Sequence, residues 1–388
     1  MTKFECGHMD VKEFILSQVR EYYGNAEIAP TNIEKREFAY GDFEQKIVQR
    51  HLSFKNEAEL KAFVLEKAPM HMHYSPALYR FPDARPMERK ELIGAELAFD
   101  IDITDMDLPC QRVHGKEFVC EDCLGVAKEE VFKLIEDFLI PDFGFKKDEI
   151  EINFSGNRGY HVHVVSKDVL NLKDEARKEI TDYISGNGLD FNEIFPTMGQ
   201  KGVLLGPKPT DLGWSGKIAR NFIKTLESGV DALIALGIER RVAKNLYQKK
   251  ALVEMGIKNG NWDMIYIKKK KEFWENILKK QVIKQSDIID KNVTINTTHV
   301  IRLPNTIHGS TGLIAKKLSF SELEKFNPLN DAIAFKKGEM KVKIEKAPAM
   351  MMANKVYGPF DKVEEYLPSY VAIYYYLKGF AQVLDVRA

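Results

Sequence analysis

The sequence predicts a mixed α/β (α+β) fold whose core is discontinuous along the chain. Two observations predict it. Strand-rich sequence interspersed with helices runs to about residue 168, strand and turn return over 290–320, and charged helical sequence with few strand signals occupies the interval from about 169 to 284. Within the first stretch, AELAFDIDITDMD (95–107) alternates by parity. Ala95, Leu97, Phe99, Ile101 and Ile103 share one face of a strand, and Glu96, Ala98, Asp100, Asp102 and Thr104 share the other. The segments expected are 1–168 (core, first part), 169–284 (helical insertion), 285–345 (core, second part) and 346–388 (a C-terminal segment with a helix).

Taken in order, DVKEFILSQVREYY (10–23) has helical spacing, with Asp10 placed to cap it. Residues 34–54 read as a hairpin turning at Gly41-Asp42, and NEAELKAFVLEKA (56–68) as a capped amphipathic helix. A strand containing HMHYS follows, then a proline-containing loop over 81–87 and the acidic strand. KEEVFKLIEDFLIPDFGF (128–145) is a helix halted by Pro141. EIEINFSGNRGYHVHVVS (149–166) reads as strand, tight turn, strand. LPSYVAIYYYLKGFAQVL (367–384) starts with a proline suited to the first turn of a helix, and its tyrosines suit core packing.

The chain has 388 residues, 44% of them apolar, which is enough for two or three domains with a substantial core. Lysine plus arginine and aspartate plus glutamate both total 57, so net charge carries no general polyanion signature. Three of the four cysteines cluster between residues 110 and 123, which favours a reducing compartment and a metal site over a disulfide framework. The first residues hold no apolar leader and no stretch approaches membrane-span length, so a soluble cytoplasmic protein is expected, with no membrane partner.

Asp100 and Asp102 are the first chemical feature. Alternate strand residues lie roughly 6.6 Å apart, so two inward carboxylates can share a divalent cation or a pair of them. A bare D-x-D is more often an exposed strand face, and the packed opposite face shifts that balance only modestly. The acids Asp105 and Asp107 lead toward the cysteines. In SGNRGYHVHV (155–164), Gly156 and Gly159 permit a tight turn whose N–H groups face phosphate oxygens, and Arg158 adds a forked cation. His161 and His163 share a strand face. An ordinary hairpin, or a metal held by the two histidines, stays open as an alternative, and HMH at 71–73 repeats the spacing.

Cys110, His114, Cys120 and Cys123 give C-x3-H-x5-C-x2-C, the donor set of a closed, structural tetrahedral zinc site in a loop at 108–125. Cys6 and His8 stand apart from it. IIDKNVTINTTHVIRLPNTIHGSTGLIA (288–315) supplies a third acid, Asp290, then Arg302 on a strand and His308 before Gly309. Lys268–Lys271, with Trp262, Tyr266, Phe273 and Trp274 interleaved, reads as a helix with a solvated lysine face and core aromatics, more than as a stacking surface for nucleic acid.

Together and in this order, the motifs resemble the small catalytic subunit of the archaeal and eukaryotic type of DNA primase. The resemblance rests on HLSF (51–54), HYS (73–75), FDIDITD (99–105), the cysteine cluster, DFGF (142–145), SGNRGYH (155–161) and D-x-x-VT…IRLPNTIHGSTGL (290–313). It implies the archaeo-eukaryotic primase core, discontinuous, with a zinc-binding loop and an inserted helical subdomain. It implies synthesis of short RNA or DNA primers for replication from NTPs or dNTPs on single-stranded DNA, by two-metal nucleotidyl transfer. Asp100, Asp102 and Asp290 would bind Mg²⁺ or Mn²⁺. Ser155, Arg158, His161, Arg302 and His308 would contact the nucleotide phosphates, and Cys110, His114, Cys120 and Cys123 would hold Zn²⁺. The implied partners are a large subunit carrying an iron–sulfur cluster, the template and the primer. A primase-polymerase of repair and a non-catalytic zinc-containing nucleic-acid module are the alternative readings. Ser310 stands where archaeal relatives often have lysine, Thr306 where they often have serine, and His114 where eukaryotic relatives have cysteine.

Overall fold

The computed structural model describes residues 10–106, 108–198, 202–286 and 289–387. Cys6, His8 and Asp107 lie outside them, and nothing is described of the Asp105 side chain. The chain divides into two compact units. One comprises Met1–Val131, Lys146–Arg177 and Asp290–Ala388, and the other Phe132–Phe145 and Lys178–Ile289.

The first unit holds two four-stranded antiparallel sheets. One runs in the order Ile301–Arg302, His71–Tyr74, Phe38–Gly41, Gln49–Leu52. The other runs Lys317–Leu318, Ile150–Phe154, Gly159–Val164, Leu97–Asp102. In the second sheet Leu97, Phe99 and Ile101 lie opposite Val164, Val162 and Tyr160. All six are fully buried, so the apolar parity of both strands falls on one side and forms core. The hairpin expected at 34–54 forms between Phe38–Gly41 and Gln49–Leu52, with a connection longer than a turn at Gly41-Asp42.

Strand parity identifies which residues share a face but not what covers that face. Glu96 shares the parity of Asp100. It is 5% exposed, paired with buried Arg36 and accepting a hydrogen bond from His163 Nδ1 at 2.9 Å. His163 also stacks on Tyr74 of the first sheet, with ring centroids 6.1 Å apart. One nitrogen of His163 is thereby engaged in bracing the core through Glu96. Burial alone would raise the Glu96 carboxyl, but the His163 hydrogen bond and the Arg36 charge outweigh it and hold the group at about 2. Its contribution to stability is therefore full above the ordinary carboxylate range and lost as pH falls from about 4.5 toward 2. Glu96→Ala leaves Arg36 buried and unpaired and should cost about 3–5 kcal/mol, read by urea denaturation at neutral pH. A loss below 1 kcal/mol would show that the pair does not anchor the two sheets.

The helix expected from residue 128 begins earlier, at Glu121, and runs as Glu121–Lys133 into a wider π turn, Leu134–Leu139, before Pro141. Glu121 and Asp122 favour that start by complementing the positive end of the helix. Cys123 therefore lies in a helical first turn and not in a loop. The helices expected near the N-terminus are present as Val11–Asn25 and Glu57–Lys67. Asn56 caps the second, accepting from Glu59 N at 3.0 Å, whereas Asp10 makes no side-chain cap bond.

The C-terminal stretch holds more strand than the single expected helix. Phe360–Pro368, Glu339–Ala347 and Ala381–Arg387 form a three-stranded antiparallel sheet, with helix Ser369–Leu377 between its last two strands in sequence. The Glu339–Ala347 strand crosses the boundary expected at 345/346. Met340, Val342 and Ile344 are its fully buried side.

The second unit is mainly helical and begins at Lys178 instead of 169, taking in Phe132–Phe145 as well. Trp274 packs edge to face on Phe222 and Trp262, whose own rings are tilted to one another, all three 4.9–5.6 Å apart, and both tryptophans are at most 2% exposed. That supports the core reading of the tryptophans in the lysine-rich run, although Tyr266 is 90% exposed. Asp142 of DFGF accepts from Tyr183 Oη at 2.9 Å and pairs with buried Lys217, so it braces this unit. Among the described residues, no helix is long and apolar enough to cross a membrane.

Candidate active site

Asp100 and Asp102 end the Leu97–Asp102 strand, and register places Asp100 opposite His161 and Asp102 opposite Gly159. The three side chains share one face. His161 Nε2 lies 3.6 Å from Asp100 Oδ1, and Arg158 Nε lies 3.6 Å from Asp102 Oδ1. Gly159 has to be glycine, because a Cβ there would sit 1.7 Å from the Ile101 carbonyl oxygen. Asp102 Oδ1 accepts from Thr104 N at 2.8 Å, which fixes its rotamer.

Asp290 arrives from almost two hundred residues away. Its backbone N–H donates to the Asp100 carbonyl at 3.0 Å, and its Oδ1 caps the helix Lys291–Ile295 through Asn292 N. The Asp100 carboxyl is pushed up to about 7, first by burial and then by the charges of Asp102 and Asp290, with Arg158 opposing. Acids from two stretches of sequence thus both bear on the Asp100 carboxyl.

The Ser155–Arg158 turn closes with Ser155 N bonded to Gly159 O at 2.9 Å, and Ser155 Oγ accepts from Asn157 N and Gly159 N, each at 3.3 Å. Gly156, at φ +84°, lets the turn approach His308, whose Cβ would lie 2.7 Å from a Cβ at residue 156. Arg158 is flanked by Asp102 and by Glu117, at 3.4 Å.

Arg302 is 6% exposed, and its Nη2 lies 2.9 Å from His71 Nδ1. The strand pairing that sets His73 opposite Arg302 makes this contact. Burial lowers Arg302 to about 10, which leaves it charged at neutral pH. His71 and His161 are both held at about 3, by burial first and then by neighbours including Arg302. His308 is also held well below the ordinary value, by burial and by the Arg302 charge. The three imidazoles are neutral near pH 7, so arginine carries the charge here. Among the described residues, Arg302 Nη1 and His161 Nδ1 have no hydrogen-bond partner although buried.

Cys110, His114, Cys120 and Cys123 converge, with one ligand atom from each and all four within 4.8 Å of one another. The Cys110–Cys123, Cys120–Cys123 and Cys123–His114 separations are 3.3, 3.7 and 3.5 Å. A tetrahedron with metal–sulfur bonds of about 2.3 Å has edges of about 3.8 Å, so the set fits a metal ion. His114 Nδ1 bonds to the Gly115 carbonyl at 2.7 Å, which leaves Nε2 facing the thiols. The hydrogen bond with Cys123 pulls Cys120 down to about 5, and the same bond with burial pushes Cys123 up.

All the site residues read from the sequence fall in these two clusters. His71 was missed as a site residue, since HMH at 71–73 carried only a repeated spacing; its contact with Arg302 depends on strands more than two hundred residues apart in sequence. Lys378, which bonds to Asn157 of the turn at 3.0 Å, gave no sequence signal.

Comparison with known proteins places the chain beside primase small subunits. The family model described as DNA primase small subunit matches residues 99–320. The chain is 33% identical over 396 residues to the DNA primase small subunit PriS of Methanococcoides burtonii, covering 96% of this chain and 99% of the relative. It is 33% identical over 399 residues to that of Methanothrix thermoacetophila, covering 95% and 98%. Against the Thermoplasma acidophilum protein of the same name it is 32% identical over 363 residues, covering 93% and 97%.

Proposed function

The chain belongs to the DNA primase small-subunit family, a family of DNA-directed nucleotidyltransferases that make RNA primers, and from that premise we propose how its residues do so. The proposed catalytic core is the first unit, with the helical unit inserted into its sequence. Asp100, Asp102 and Asp290 hold the divalent cations, Mg²⁺ or Mn²⁺. When bound, these ions supply charge to the primer 3′-hydroxyl and to the leaving pyrophosphate. Arg158 and Arg302 hold the triphosphate, with neutral His161 and His308 and the Ser155 turn orienting its oxygens. The observation that carries this reading is the Asp100 carboxyl, raised by burial and by two neighbouring acids, 3.6 Å from His161, together with a buried Arg302 Nη1 and a buried His161 Nδ1 that lack partners among the described residues. A cation relieves the repulsion, and phosphate oxygens suit the unused donors.

Zn²⁺ is the ion proposed for the Cys/His cluster, in a structural role. The proposed partners are single-stranded template, primer, NTPs or dNTPs, and a large subunit with an iron–sulfur cluster.

The experiment is de novo synthesis on single-stranded DNA with labelled NTPs or dNTPs and either metal, with and without the large subunit. Short acid-insoluble products that need template and metal are expected. DNA binding with no incorporation under any of these conditions would favour a non-catalytic module. Products only from a supplied primer, with or without the large subunit, would favour a repair polymerase.

Metal binding should also release protons. Asp100 is protonated below about pH 7 in the metal-free protein, and the cation needs its ionised form. At pH 6.5 the observed enthalpy of Mn²⁺ binding should therefore depend on the ionisation enthalpy of the buffer, and the dependence should fade above pH 8. A binding enthalpy independent of buffer at pH 6.5 would show that Asp100 is already ionised in the metal-free protein.

A further inference from the structure

Lys378 follows helix Ser369–Leu377, in the C-terminal segment that the motifs do not reach. Its Nζ reaches Asn157 Oδ1 in the Ser155–Arg158 turn, 221 residues away in sequence, at 3.0 Å. Among the described residues, no carboxylate lies within 4.0 Å of this half-buried ammonium. Its hydrogen-bond acceptor is an uncharged amide, and its nearest aromatic face is the Tyr374 ring, 5.9 Å away at the centroid. Arg158 and Lys46 repel it, while Glu117 and Asp102 attract it from beyond ion-pair distance, and its own charge is felt at His308. A desolvated cation beside a second cation, with a neutral acceptor, is an arrangement completed by an anion.

The position is also fixed. Tyr374, one turn earlier, is fully buried, and its hydroxyl meets the backbone of Val119 at 3.3 and 3.4 Å. Its ring packs against Phe118 at 5.7 Å. Phe118 and Val119 lie between His114 and Cys120, so the segment carrying the metal-ligand cluster also braces the helix that presents Lys378. Gly379, at φ +78°, turns the chain away directly afterwards.

We propose that the Lys378 ammonium binds the triphosphate of the incoming nucleotide, facing it together with Arg158 and His308. This rests on the nucleotidyl-transfer reading above and adds to it a phosphate ligand from outside the recognised motifs. A purely structural role, a positive charge at the C-terminal end of the helix that ties it to Asn157, is the other reading, and the test separates the two.

Equilibrium binding of inorganic tripolyphosphate and of NTP, each with Mn²⁺, is measured by calorimetry for the wild type, Lys378→Met and Lys378→Arg. Lys378→Met should weaken both about tenfold, as expected for loss of one charge-assisted hydrogen bond. It should raise KM for NTP similarly while changing kcat and primer–template affinity little. Lys378→Arg should recover most of the binding. Unchanged tripolyphosphate affinity in Lys378→Met would overturn the proposal, as would a loss confined to primer–template affinity. A lowered melting temperature that Lys378→Arg restores without restoring phosphate binding would assign the lysine to that structural role. Because binding is read without turnover, failure here is distinct from failure of the catalytic reading, which Asp102→Asn tests through synthesis.

Discussion

Asp100→Asn and Asp102→Asn should each lower primer synthesis by about a thousandfold or more while the protein stays folded. The size follows from the roles proposed for the acids. Removing a single preorganised electrostatic contact from a transition state commonly costs about a hundred- to a thousandfold, and each of these acids would be a direct metal ligand as well. Retention of the fold follows from geometry. Asn at 102 keeps an oxygen to accept from Thr104 N, and Asn at 100 removes a charge that its neighbours disfavour. The folded-state Asp100 carboxyl titrates at about 7, above its ordinary value, so metal-free wild type loses stability as pH rises through about 7. Asp100→Asn lacks that loss, and its melting temperature in chelator should exceed that of wild type at pH 8 and approach it at pH 5. Near wild-type primer yield in either variant would remove that acid from the catalytic set.

Loss of the Cys/His metal should be the largest stability effect. Cys123 is fully buried at the start of its helix, and the segment between His114 and Cys120 packs through Phe118 on Tyr374, Tyr375 and Phe380. Without an ion, three thiols and an imidazole lie together with no common partner, and the packing around them loses its anchor. Structural zinc sites contribute directly to folding, and a loss of several kcal/mol in a unit of this size is a fall of about 10 °C or more in melting temperature. Cys123→Ser, or exhaustive chelation, should produce that fall and should also weaken tripolyphosphate binding through Lys378. Purified protein should carry one equivalent of zinc. Substoichiometric metal with freely titratable thiols, and a melting temperature indifferent to chelator, would contradict the assignment.

Much of the site was legible because its chemistry follows short-range rules. Period-two alternation set Asp100 and Asp102 on one strand face, and glycine spacing marked the Ser155–Arg158 turn. Four metal-type ligands within fourteen residues marked the thiol cluster. The remainder depends on what tertiary structure brings over those elements. Glu96 has the same parity as Asp100, yet Arg36 and His163 close over it and leave it structural. His71 gains its place from pairing with a strand at residues 301–302. Lys378 is a lysine at a helix end, and nothing in its neighbours announces a contact with residue 157. The C-terminal sheet was a different kind of omission. The alternation of Met340, Val342 and Ile344 was visible in EMKVKIEKA, but no chemical motif drew attention to it.

In the proposed metal site an acid from the second core stretch, Asp290, joins Asp100 and Asp102 from the first. The most direct test is single-nucleotide extension of a labelled primer–template by wild type and Asp290→Asn, in the same run with saturating Mn²⁺ and dNTP. Asn at 290 keeps an acceptor for Asn292 N, so the local helix cap survives. The proposed site predicts extension by wild type and at least a hundredfold slower extension by the variant, with primer–template affinity unchanged. Extension by Asp290→Asn at the wild-type rate would show that the third carboxylate takes no part, and the three-acid site would be wrong.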